Sequence, residues 1–217
     1  MNILIIRRVT LFLTFIILIA LSISFTNIIF KNDLVICLDP GHGGFDGGAK
    51  VSNYVEKDIT LNASLILGNL LEKTGYKILY TRTKDEALSK DKTTDMKKRL
   101  KLINSNNNIL YISIHANIYS SKEVFGAQVF YNNSNENSKF LSEQIQSYLK
   151  LEQPNNKRVA KSISGKYLLD NAETPGCLVE LGFMSNIDDL KILINNDLLE
   201  YRCLMIYLGI LKYLEYN

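Results

Sequence analysis

The sequence holds only two histidines, His42 in the run CLDPGHGG and His115 at the end of YISIH. Each stands at the exit of an apolar run that reads as a β-strand, and in open α/β sheets ligands gather outside the carboxyl ends of the strands. Residues far apart in sequence can converge there. A catalytic zinc takes three ligands from His, Cys, Asp or Glu and keeps a fourth position open for water. Glu56, in NYVEKDITL just ahead of a helical pattern, is the natural third ligand. Its plainer role is a first-turn glutamate complementing the helix dipole, just as a lone histidine more often packs than binds. Glu180 ends a further apolar run, CLVE. A carboxylate there is costly to bury alone, so it faces a polar site or a charge, unless it is an ordinary strand-end glutamate. In a metal hydrolase it would be the general base for the attacking water.

The glycines of GHGGFDGGA do not form G-x-G-x-x-G, and no G-K-[ST] follows, which disfavours a nucleotide site. A metal-bearing turn fits better, because glycine lets backbone approach an ion and a substrate closely. Gly43, Gly44 and Asn117 are candidates for orienting a substrate, on position alone.

The elements that must position these groups alternate between strand and helix patterns, which implies an α/β domain. Strands are expected at 34–38, 77–81, 109–114, 127–131, 167–169 and 177–181, forming a mixed, mostly parallel sheet of about six strands flanked by helices. Helices are expected at 59–73 with Asp58 as N-cap and Gly75 as the stop, and at 96–104, 136–150 and 198–213. The last is strongly apolar, but its uncharged stretch between Arg202 and Lys212 is too short to span a bilayer. Docking against the sheet is expected instead. No internal repeat, linker or separate binding module is visible, so one domain, 32–217, must carry both recognition and chemistry.

Residues 9–30 carry no charge and have about the length of a bilayer-spanning helix. Arg7 and Arg8 before them place the N-terminus in the cytoplasm and the rest outside. The sequence thus predicts a single N-terminal hydrophobic helix within 1–31, a membrane anchor or, as the rival, a signal segment. Arg7, Arg8 and Lys31 are three of the 25 basic residues, leaving 22 against 22 acidic ones from position 32 onward. No nucleic-acid partner is expected from that balance. Cys37, Cys177 and Cys203 are odd in number and scattered, which argues against a disulfide framework.

Five pieces in order, LDPGHGG at 38–44, EKDITL at 56–61, TR at 81–82, SIHAN at 113–117 and PGCLVELGFMSN at 175–186, resemble the zinc-dependent N-acetylmuramoyl-L-alanine amidases of the amidase-3 type. The resemblance covers almost the whole of 34–217. It implies Zn2+ bound by His42, Glu56 and His115, with Glu180 catalytic, and a substrate made of the peptidoglycan glycan strand and its stem peptide. KLIN at 101–104, KRVAK at 157–161 and GKYLLDN at 165–171 look most like the germination-specific (CwlD-type) branch. That branch implies removal of stem peptides during spore cortex maturation, leading to muramic-δ-lactam, an extracytoplasmic site of action in the forespore intermembrane space, and a possible partner lipoprotein. Arg82 and Arg99 are expected to pair with surface acids in preference to holding stem carboxylates. Alternatives are another peptidoglycan-directed zinc hydrolase, or a non-catalytic protein that binds peptidoglycan or a partner.

Overall fold

The computed structural model describes residues 13–18, 34–105 and 108–216. Its main strands are β1 (Val35–Pro40), β4 (Lys77–Tyr80), β5 (Asn108–Asn117), β6 (Gln128–Tyr131), β7 (Lys161–Ser162) and β8 (Gly176–Phe183). They form one sheet in the order β4-β1-β5-β8-β6-β7, parallel throughout except between β6 and β8. A short antiparallel hairpin, β2 (Lys50–Val51) and β3 (Tyr54–Val55), precedes the first helix. The helices are α1 (Glu56–Glu72), α2 (Lys92–Ile103), α3 (Glu136–Glu152), α4 (Tyr167–Asn171), α5 (Ile187–Ile194) and α6 (Asn196–Leu214).

Helical spacing of apolar side chains decides what each long helix buries. α1 turns Ile59, Ala63, Leu67 and Leu71 inward, α3 contributes Leu141, Ile145 and Leu149, and α6 adds Leu199, Cys203, Ile206 and Ile210. These pack on the sheet face carrying Ile36, Leu38, Leu110, Ile112, Ile114, Cys177, Val179 and Leu181. Side chains alternate across a strand, so Cys37, Tyr111 and Leu178 point to the opposite face, where Ile103, Leu168 and Leu169 cover them. Along that second face the same alternation continues through Asp39, Ser113, His115 and Glu180. The register pairs Asp39 with Ser113 and His115 with Glu180. One face is therefore apolar from end to end, while the other changes from core to chemistry near the carboxyl ends of the strands.

Several expectations change. Residues 167–169 lie in α4 instead of a strand, because Leu168 and Leu169 are both buried against α2 and the sheet, which an alternating strand on one face does not permit. The sixth strand is β7, at the sheet edge. α1 begins at Glu56 and uses no side-chain cap. The Glu56 and Lys57 amides donate instead to the carbonyls of Ala49 and Gly47, so the β2–β3 hairpin and its approach replace the cap assigned to Asp58. α5 was not anticipated. The three cysteines are free and buried. Of the apolar segment at 9–30, only 13–18 falls within the described residues, as a helical stretch; the rest lies outside them. Among the described residues no helix is long and apolar enough to cross a membrane.

Candidate metal centre and active site

β1 runs into the turn that carries His42, and this residue adopts φ +62°. A left-handed conformation costs a side-chain-bearing residue roughly 1–2 kcal/mol, so the surroundings must impose it. Arg99 Nη2 donates to the His42 carbonyl at 2.6 Å, and the Gly43 amide and Asp46 carbonyl close the turn at 2.8 Å. Glu56 arrives from the first turn of α1 and His115 from β5. One Glu56 oxygen, Oε2, lies 3.1 Å from His42 Nε2, and the other, Oε1, lies 3.0 Å from His115 Nδ1. The amides of Ala49 and Ala116 donate to those oxygens at 2.8 and 3.1 Å, fixing the carboxylate between the two rings.

Glycines make this approach possible. A Cβ on Gly41 would stand 2.4 Å from the His115 ring, and one on Gly48, itself at φ +69°, would stand 2.5 Å from Glu56 Oε2. Ligand atoms of His42, Glu56 and His115 lie within 4.8 Å of one another. Two imidazoles and a carboxylate at that spacing match the donor set and the reach of a three-ligand zinc site. Burial works against the Glu56 charge, yet its hydrogen bonds to His115 and His42 hold its carboxyl well below the usual range. Burial likewise works against a protonated His42, and Glu56 and Asp46 more than offset it. Asp46 Oδ1 is 3.0 Å from His42 Nδ1 but off the line of a hydrogen bond.

Glu180 sits across the strand pairing from His115, and its Oε2 is buried without a hydrogen-bond partner among the described residues. Burial chiefly, with Glu56 adding to it, raises its carboxyl above the ordinary value, while His115, Lys166 and His42 pull the other way. A carboxyl so placed holds its proton more firmly than an exposed one, which suits a group that must take up a proton and pass it on. The group opens on a cavity of about 480 Å³ lined by His42, Glu56, His115, Asn117 and Glu180, among others. Asn117 Oδ1 accepts from the Ile118 amide. The Gly43 and Gly44 amides are engaged by the Asp46 carbonyl and by Asp85 Oδ1, so these glycines contribute turn shape and not free donors.

A buried ionic network beneath the site was not foreseen. Arg99 reaches Asp39 at 2.8 Å and Asp95 at 2.7 Å, and donates to the Pro40 carbonyl. Thr81 and Ser113 add hydroxyl donors to Asp39. Arg82 donates to the carbonyls of Pro40, Gly41, Lys57 and Lys84. Both guanidinium groups are buried, so neither is a surface residue as expected, and together they hold the His42 turn from below. Burial opposes the Asp39 charge, but Arg99 and the two hydroxyls keep its carboxyl below the usual range.

The open α/β sheet brings two imidazoles and a carboxylate together at the strand ends beside the buried carboxyl of Glu180, the donor arrangement that metal-dependent hydrolases use. Residues 36–212 match the family described as N-acetylmuramoyl-L-alanine amidase, and the chain belongs to that family. It is 38% identical over 187 residues to the germination-specific N-acetylmuramoyl-L-alanine amidase of Bacillus subtilis, covering 82% of this chain and 79% of that protein. Its fold is similar to that of the CwlD amidase from Clostridioides difficile, solved in complex with the GerS lipoprotein, with a TM-score of 0.81 and 35% identity over 85% of this chain and all of that one. The amidase AmiC2 of Nostoc punctiforme follows with a TM-score of 0.72 and 28% identity, covering 84% of this chain and 98% of that one. The chain is thus an enzyme that hydrolyses the amide joining N-acetylmuramic acid to L-alanine in peptidoglycan.

Proposed function

We propose that His42, Glu56 and His115 hold a zinc ion and that Glu180 moves the proton in this hydrolysis. The observation that carries the reading is the convergence of the three ligand atoms within 4.8 Å beside Glu180, whose buried Oε2 has no hydrogen-bond partner among the described residues. Zinc, when bound, acidifies water to a pKa of about 7 and takes up the negative charge of the reacting carbonyl. Glu180 accepts the proton of the attacking water and returns it to the departing L-alanine nitrogen. The His42 turn and Asn117 shape the cavity that receives the lactyl carbonyl.

The biological setting follows the likeness to the germination-specific relative. The enzyme strips stems during cortex maturation in sporulation, in the forespore intermembrane space, preparing muramic acid for δ-lactam formation. The likeness to a lipoprotein-bound relative supports a lipoprotein partner for this chain. Residues 1–31 tether the catalytic domain, 32–217, to the membrane; the support is the uncharged run at 9–30 behind Arg7 and Arg8.

Mass analysis of peptidoglycan digested by the full-length protein, stripped of metal and then reconstituted with zinc, tests reaction and cofactor together. The expected products are peptide-free muramic acid and stems with a new amino terminus on L-alanine, formed only with metal. Released acetate, or cleavage inside the stem, would replace this reading by a deacetylase or a peptidase.

A further inference from the structure

Glu180, Asn117, Leu178 and Lys166 line both the main cavity and a second of about 120 Å³ on the β6–β7 side. The two spaces meet at the proposed reacting centre. Three cations line them. Lys92 is paired with Asp46 at 3.2 Å, and Arg99 is buried between Asp39 and Asp95. Of these three, the exposed Lys166 alone makes no ion pair or hydrogen bond among the described residues, although its charge acts on Glu180. Its backbone is nevertheless fixed. The Ile163 amide donates to the Tyr131 carbonyl at 2.9 Å, the Gly165 amide to Asp170 Oδ2 at 2.7 Å, and the Asp170 amide to the Lys166 carbonyl at 2.8 Å. Asp170 Oδ1 is tied in turn to Asn132. An exposed ammonium on an anchored turn, lining the cleft beside Glu180 and without an ion pair of its own, is placed to meet an anionic group on a bound substrate.

The substrate supplies one on a single side. The glycan presents hydroxyl and acetamido groups near the scissile amide, whereas the leaving peptide can carry a carboxylate within a residue or two, about 3.3–3.6 Å of chain each. We propose that Lys166 is the residue by which this cleft selects a stem bearing a free carboxylate next to the amide that is cut. This rests on the amidase reading. A lysine binds such a group as a point charge on a flexible stem, so the selection is graded and not absolute.

The test uses the full-length zinc-loaded protein and two synthetic muramoyl peptides that differ only in a carboxylate or a carboxamide at the residue after L-alanine. The wild type is expected to favour the carboxylate about tenfold in kcat/KM, the size of one partly screened charge contact. Lys166→Met should abolish the preference, the ratio of kcat/KM for the two substrates falling to about one through KM whatever common change in kcat follows from losing its pull on Glu180, and Lys166→Arg should restore it. A wild type indifferent to the two, or a Lys166→Met protein slowed equally on both, would overturn the proposal, the second result marking Lys166 as a mere counter-charge to Glu180. If neither substrate is cut, the amidase reading fails separately. Calorimetry with the corresponding free peptides then decides on Lys166: tighter binding of the acidic peptide by wild type but not by Lys166→Met supports it, and equal binding refutes it.

Discussion

Replacing Arg99 by Met would remove the guanidinium that ties the His42 turn to the sheet. Four contacts go with it: Asp39 at 2.8 Å, Asp95 at 2.7 Å, the Pro40 carbonyl at 2.9 Å and the His42 carbonyl at 2.6 Å. Asp39 is 1% exposed and keeps only the hydroxyls of Thr81 and Ser113. Breaking a buried pair by deleting one partner costs about 3–5 kcal/mol, a large share of the roughly 5–15 kcal/mol that holds an ordinary domain folded. Urea unfolding followed by far-ultraviolet circular dichroism measures the loss. Asp39→Asn in the Arg99→Met background removes the stranded charge, so the pair should show about 0.5–3 kcal/mol of favourable coupling. The pH dependence carries the same signature. In the wild type the Asp39 carboxyl is held below its unfolded value, so its contribution is complete above the free value of about 3.9 and is lost as pH falls through the lower folded one. Without Arg99, burial dominates and the sign reverses: the folded carboxyl lies above its unfolded value, so Asp39 becomes a penalty that grows as pH rises through the free value. A cost below about 1 kcal/mol, the worth of an exposed pair, with no coupling to Asp39, would refute the reasoning.

Glu180→Gln should retain zinc measured by atomic absorption while hydrolysis falls by about 10²- to 10⁴-fold; undiminished release of stems would dismiss Glu180 as the proton carrier. His115→Ala should lower metal content and activity together, and stoichiometric zinc in that protein would count against the three-ligand set. Gly41→Ala should displace the His115 ring, since the added carbon would stand 2.4 Å from it. Weakened zinc binding by about 10- to 100-fold, the usual scale for disturbed ligand support, is the expected readout, and unchanged affinity would show that the turn can yield.

The central strands and long helices were legible because their patterns are local. Apolar runs before His42, His115 and Glu180 foretold β1, β5 and β8, and i, i+4 spacing foretold α1 and α6. The convergence of His42, Glu56 and His115 followed from strand exits and the family motifs. What escaped depends on tertiary surroundings. Leu168 and Leu169 read as strand until the packing of α2 against them is known. The helical start at Glu56 hides because its cap is backbone from another turn. Arg82 and Arg99 were assigned outward from their charge, although the argument used for Glu180 applies equally to Asp39: a carboxylate ending a buried strand demands a partner, and that demand pointed to a buried arginine.

The sheet ends on one side in β4, four residues long, and on the other in β7, only two. Long open margins offer unpaired amides and carbonyls that recruit strands from neighbouring molecules. Here the longer strands β1, β5 and β8 are shielded within, and the flanks offer little for self-templated growth.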